Sequence, residues 1–184
     1  MLKMKSTIRK ITTAAVLAMS ASLLAFAAHA KDATELNDLE IAHVAYTAGT
    51  IDIRYAHLAL AKSTNPEVRK FAALMLQDRQ AVNDQAVALI TKLGITPKDN
   101  DVSKTLVKNS QMLIAEMSSL DGKNFDMKYA NNEHEYHKFV NGALEGVFIP
   151  NAKNADLKSL LKAGLKVFKV HQGHAAMMSK AVGN

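Results

Sequence analysis

Apolar residues recur at intervals of three and four along most of this chain, the period of helices that bury one face. The first such run covers about residues 34–63. The second opens at Asn65-Pro66-Glu67, where Asn can cap, Pro suits the first helical position and Glu meets the positive helix end. It runs to Leu93 and stops at Gly94, with Pro97 just beyond. Residues 101–118 keep the same period over a shorter length, and Leu120-Asp121-Gly122-Lys123-Asn124 reads as a turn. A third long helix is expected at about 125–147, a break at Ile149-Pro150-Asn151, and a fourth long helix at about 155–182. No alternating stretch is long enough for a strand, and neither a repeat nor a linker divides the chain. The pattern predicts one all-α domain, an up-down four-helix bundle with one short extra helix in the connection between the second and third long helices.

The first thirty residues follow a different rule. Residues 1–10, MLKMKSTIRK, carry four positive charges and no acid; residues 11–27 are small and apolar; Ala28-His29-Ala30 offers a small-x-small cleavage pattern. This is the make-up of a secretory signal peptide, with cleavage expected after Ala30, a periplasmic destination, and residues 31–184 as the mature domain. Removal changes the charge picture. The whole chain is +6, but residues 1–30 hold four of its 23 Lys and Arg and none of its 17 Asp and Glu, which leaves 19 against 17, or +2. No block of like charge remains, so the mature chain has no electrostatic footprint for nucleic acid. It also has no apolar run that demands a membrane span. The chain contains no cysteine, so packing without disulfides must hold an exported fold together. The sequence leaves open whether the chain forms a homo-oligomer.

Ionisable residues on the inward stripes are where chemistry could sit. On the first helix one stripe runs Ala45, Ala48, Asp52, Tyr55, Ala59; on the second, Phe71, Met75, Asp78, Val82, Leu89. Asp52 lies about twelve residues before the connecting turn and Asp78 about fourteen after it, so antiparallel packing puts them at nearly one height. Two facing carboxylates need a cation or a shared proton. Arg79 could pair with Asp52; a metal held with histidines is the sharper alternative.

Those histidines come in two His-x-x-His steps, His134/His137 and His171/His174. The third-helix stripe 129, 133, 137, 140, 144 carries Tyr129, Glu133 and His137. The fourth carries His171 on the run Leu160, Leu161, Gly164, Val167, Phe168, His171, Ala175. The expected ligand set is therefore Asp52, Asp78, His137 and His171, with Tyr55, Arg79, Tyr129, Glu133, His134 and His174 around it as outer contacts or an ion network. Two imidazoles and two carboxylates suit zinc, iron or manganese, and copper would also bind. A di-iron centre is not supported: Glu133 and His137 are four apart where Glu-x-x-His is wanted, and no carboxylate lies within a turn of His171. The nine methionines are scattered at helical spacing like core filler. No nucleophile elbow, phosphate loop or haem-attachment cysteine is present.

Several of these residues, in this order, resemble the domain of unknown function 4142 family. They are Asn65-Pro66-Glu67-Val68 after Ala-Leu-Ala-Lys, Phe71-Ala72 with Met75 and Asp78, Phe125-Asp126 with Tyr129, then His137 and His171. The resemblance covers roughly residues 36–180. It implies an exported bacterial protein, of a kind often labelled outer-membrane or periplasmic, with a ferritin-like helical bundle. It also implies that Asp78, Tyr129, His137 and His171 are recurrent polar positions. Where relatives usually read Asp-His in the second helix, this chain reads Asp78-Arg79, and it has Asp52 where Glu is common.

Three functions follow from these readings. One is a non-catalytic periplasmic bundle that binds a metal ion or small ligand at the Asp/His cluster, with a role in envelope stress. Another is a structural or interaction protein whose Asp/Arg/His cluster is a buried ion network. The third, a metal-dependent oxidase or peroxide-handling enzyme, rests on fold analogy alone and ranks last.

Overall fold

The computed structural model describes residues 33–183. The expected signal peptide, residues 1–30, lies outside them. Helix α1 spans Asp38–Lys62 and begins in a capping box: the Asn37 side chain accepts from the N–H groups of Leu39 and Glu40, and Glu40 accepts from the Asn37 N–H. Helix α2, Pro66–Leu93, is bounded as its sequence signals require. Asn65 caps the N–H groups of Glu67 and Val68, and Gly94 closes the helix with φ +61°, a backbone angle that favours glycine. Helix α3 is Asp101–Ser118, capped by Asn100; α4 is Gly122–Ala143; α5 is Ala155–Gly183. No strand occurs among the described residues.

Three boundaries differ from the expected ones: helix α1 starts at Asp38, behind its Asn37 cap, and not near residue 34. Helix α4 starts at Gly122, because Gly122 itself takes φ +54° and turns directly into the helix. At its other end the chain stays helical past the expected break. Leu144–Phe148 widen into a π-helical turn in which the Ile149 N–H reaches back to the Leu144 carbonyl, and Ile149–Asn151 add one more turn. Pro150 has no N–H, and in an α-helix its ring would press on the carbonyl four residues earlier; the wider turn relieves that contact. The chain breaks instead at residues 152–154, where the Asp38 carboxylate accepts the N–H groups of Lys153 and Asn154 at 2.8 Å each.

Contacts along the helices give their directions. Helices α1 and α2 are antiparallel: Arg69 Nη1 donates to the Leu60 carbonyl at 2.7 Å near the turn, and Asp52 meets Arg79 further along. Helices α4 and α5 are antiparallel too, through Ser179 to Asn131 at 2.6 Å and Asn141 to the Phe168 carbonyl at 3.2 Å. Tyr136 to the Ala48 carbonyl and Ser63 to Asp126 join α1 to α4; His171 to Asp78 and Lys92 to Asp156 join α2 to α5. Helix α3 runs alongside α1 in the same direction, with Asn100 reaching the Glu40 carbonyl at one end and Lys62 the Ser118 carbonyl at the other. The extra helix is therefore a full crossover of 18 residues, about 27 Å long, so α2 and α4 run parallel and the four long helices do not alternate up and down as the sequence pattern predicts.

Apolar side chains gather in two clusters. One includes Ile51, Ala56, Ala59, Phe71, Met75, Phe125 and Met178; the other includes Ile41, Val44, Val140, Leu144, Phe148, Leu161 and Phe168. As deeply buried as these apolar residues are Asp52, Arg79, Glu133, His137 and His171.

Candidate functional site

Each of these polar side chains is delivered by a different turn of a core-facing stripe. Asp52 comes from the middle of α1, one turn from Gly49, where the two helices approach so closely that an added Cβ would lie 2.3 Å from Asn83 Oδ1. Arg79 comes from α2, Glu133 and His137 from α4, and His171 from α5.

Arg79 is at the centre. It is 1% exposed, its Nε donates to Asp52 Oδ2 at 2.5 Å, and its Nη2 lies 3.0 Å from His137 Nε2. Its guanidinium carbon lies 3.7 Å from the centroid of the Phe168 ring, a cation–π contact. A guanidinium only donates, so His137 Nε2 accepts and its proton sits on Nδ1, which donates to the Glu133 carbonyl at 2.8 Å. Burial pushes the His137 pKa down to about 4, with the facing Arg79 charge adding to the effect, so the ring is neutral.

Glu133 is fully buried. Desolvation first, then the nearby Asp52 charge, holds its carboxyl well above the usual range, and the acid keeps its proton. Asp52 Oδ1 and Glu133 Oε2 have no hydrogen-bond partner among protein atoms, and the proton that Glu133 keeps is the donor the protein holds beside the Asp52 carboxylate. The result is one positive and one negative charge with two neutral partners, a buried cluster with no net charge. Tyr129, Tyr55 and Tyr136 surround it; burial and the acids raise all three phenols, which remain neutral.

A second pair lies alongside. His171 is 1% exposed, its Nε2 is 2.8 Å from Asp78 Oδ2, and its ring meets that of His137 edge to face at 5.6 Å. Burial lowers the His171 pKa, opposed by the Asp78 hydrogen bond, so Nε2 donates and Nδ1 is left as a buried acceptor without a partner. Asp78 itself is half-buried, with 29% of its side chain exposed. Thus Asp52 and His137 meet through Arg79, Asp78 and His171 meet directly, and the two groups touch through the His137 and His171 rings. His134 is half-buried, 3.9 Å from Glu135, and His174 is exposed. In each His-x-x-His step one imidazole goes inside and the other toward water.

Asp52, Glu133 and His137 each offer one ligand atom, all within 4.8 Å of one another, and all three residues are buried. The donor types suit a divalent ion. Arg79 occupies Asp52 Oδ2 and His137 Nε2, however, so an ion would have to displace the guanidinium and the Glu133 proton together. Glu133, expected among the outer contacts, lies in the cluster itself, and its place four residues before His137 on one stripe is the signal for it. Phe168 beneath Arg79 had no such signal beyond its position three residues before His171.

A family model described as Domain of unknown function (DUF4142) matches residues 23–178. The chain belongs to that family. No curated protein and no solved structure matches it.

Proposed function

We propose that this DUF4142 protein is an exported, non-catalytic helical-bundle protein of the periplasm whose interior is tied together by a sealed ion network, with Arg79 as its built-in cation. One observation carries the reading: the Arg79 guanidinium, away from water, satisfies Asp52 and His137 at once and is stacked on Phe168. Four antiparallel contacts around α1, α2, α5 and α4, with α3 as the single long crossover, support a ferritin-like bundle. The signal-peptide pattern of residues 1–30 supports export. A buried network of this kind fixes which helix turns face one another, since any slip strands a charge.

Metal binding at Asp52, Glu133 and His137 is the second reading, favoured by the 4.8 Å cluster and by the two carboxylate oxygens that lack donors. One experiment separates the two. Protein recovered from the periplasm and offered zinc, iron or copper should retain less than stoichiometric metal after dialysis, and chelator should not move its Tm. One retained equivalent with a higher Tm would transfer the assignment to the metal reading. N-terminal sequencing of the same material should begin at Lys31; an intact Met1 would remove the case for cleavage.

A further inference from the structure

The outward side of α5 is unlike that of any other helix here. Seven large apolar residues are exposed among the described residues; α1 to α4 show one each, and α5 shows three, Val167, Val170 and Met177. At 100° per residue these share with Ala163, His174 and Ala181, all exposed, a stripe roughly 80° wide that begins at the exposed Asp156 and Ser159. Beside it, on an arc of similar width, stand Lys158, Lys162, Lys166, Lys169 and Lys180. The only acid on α5 is Asp156, which is taken by Lys92, and Glu145 takes Lys169. The other four lysines meet no carboxylate within ion-pair distance among the described residues.

We infer that this face docks on an anionic lipid bilayer, with α5 lying along the surface. The charge and the apolar stripe run side by side for about 33 Å, from Lys158 to Lys180. A bilayer offers the matching pair of layers, phosphates above and acyl chains below, to a helix lying in its plane. Four unpaired lysines on one ridge repel each other until an anionic layer meets them. An antiparallel second copy would bring two lysine ridges together, whereas an anionic surface neutralises the whole ridge. Docking is independent of the interior network, which lies on the opposite side of the same helix.

The chain has no tryptophan, so Val170→Trp places a single reporter on the stripe without confusion from the N-terminus. With phosphatidylglycerol vesicles its emission should move to the blue and be quenched by brominated acyl chains. Phosphatidylcholine vesicles should do neither. High salt should reverse the change. Exchanging Lys158, Lys162, Lys166 and Lys180 for Gln should weaken partitioning roughly five-fold per lysine, or several hundred-fold together, with the far-UV CD spectrum unchanged. Unshifted emission on anionic vesicles overturns the inference. So does a response as strong on neutral vesicles, or one that survives loss of the lysines, or a blue shift that only an acidic polypeptide produces.

Discussion

Two aspartate–histidine pairs lie side by side in this protein, their imidazoles 5.6 Å apart, and they solve the problem of a buried charge differently. The Asp78–His171 pair sits at the edge, where Asp78 keeps 29% of its side chain exposed and water can screen it. Asp52 and His137 are fully buried, so every group around them must be answered by protein: a guanidinium for the carboxylate, a retained proton for the second acid, a carbonyl for the imidazole. The same two residue types are tolerant at the edge and tightly constrained one ring further in. Depth alone makes the difference.

Removing the internal cation should break this contrast most severely. Arg79→Leu leaves the Asp52 carboxylate buried without its counter-charge, and a loss of about 3–5 kcal/mol is expected. For a domain of this size that corresponds to a fall in Tm of roughly 10–20 °C, read by thermal melts. A variant as stable as the parent would falsify the ion-network account.

Proton linkage gives a second, smaller test. Glu133 has a raised folded pKa, so its contribution is fully present below the unfolded carboxyl value and is lost as pH rises above it. His137 goes the other way: its folded pKa of about 4 lies below the unfolded value near 6.5, so stability is lost as pH falls from about 6.5 toward 4. Below about pH 6.5 the Glu133 slope is opposed by those of His137 and of His171, whose folded pKa is also lowered by burial; above 6.5 the Glu133 slope remains. Glu133→Gln supplies a permanent donor to Asp52 and deletes that slope. Denaturant titrations from pH 6.5 to 8.5 should show the parent losing stability with rising pH relative to the variant. Parallel curves would mean that Glu133 is ionised in the fold.

The edge pair supplies the smallest effect. Asp78→Asn keeps an acceptor for His171 at a position water reaches, so a change of about 1 kcal/mol or less is expected. A loss as large as that of Arg79→Leu would mean that the two pairs form one unit.

The same depth argument explains what could be read from the chain. Asn65-Pro66-Glu67 and Gly94 give the ends of α2, because caps are local chemistry. The stripe of Tyr129, Glu133, His137 and Val140 on α4, continued by Leu144 in the π-helical turn, is buried throughout. On α2 the reading slipped by one residue. Arg79 goes in and makes the pair with Asp52 that the sequence allows, while Asp78, expected on the inward stripe through Phe71 and Met75, stays at the edge. Nothing on α2 reveals that choice; it depends on Asp52, His137 and Phe168, supplied by three other helices. The α3 crossover was legible as a helix, but its path along α1 depends on contacts at both ends.

The central claim is that Arg79 donates to a neutral His137 inside a metal-free network. Nitrogen-15 NMR of histidine-labelled protein near pH 6, with Arg79→Lys used to assign the perturbed ring, tests it at the atoms concerned. The account predicts one buried imidazole that is neutral, protonated on Nδ1, and hydrogen-bonded through Nε2. An imidazolium at that pH, or Nε2 shifted as by a bound metal, would contradict it.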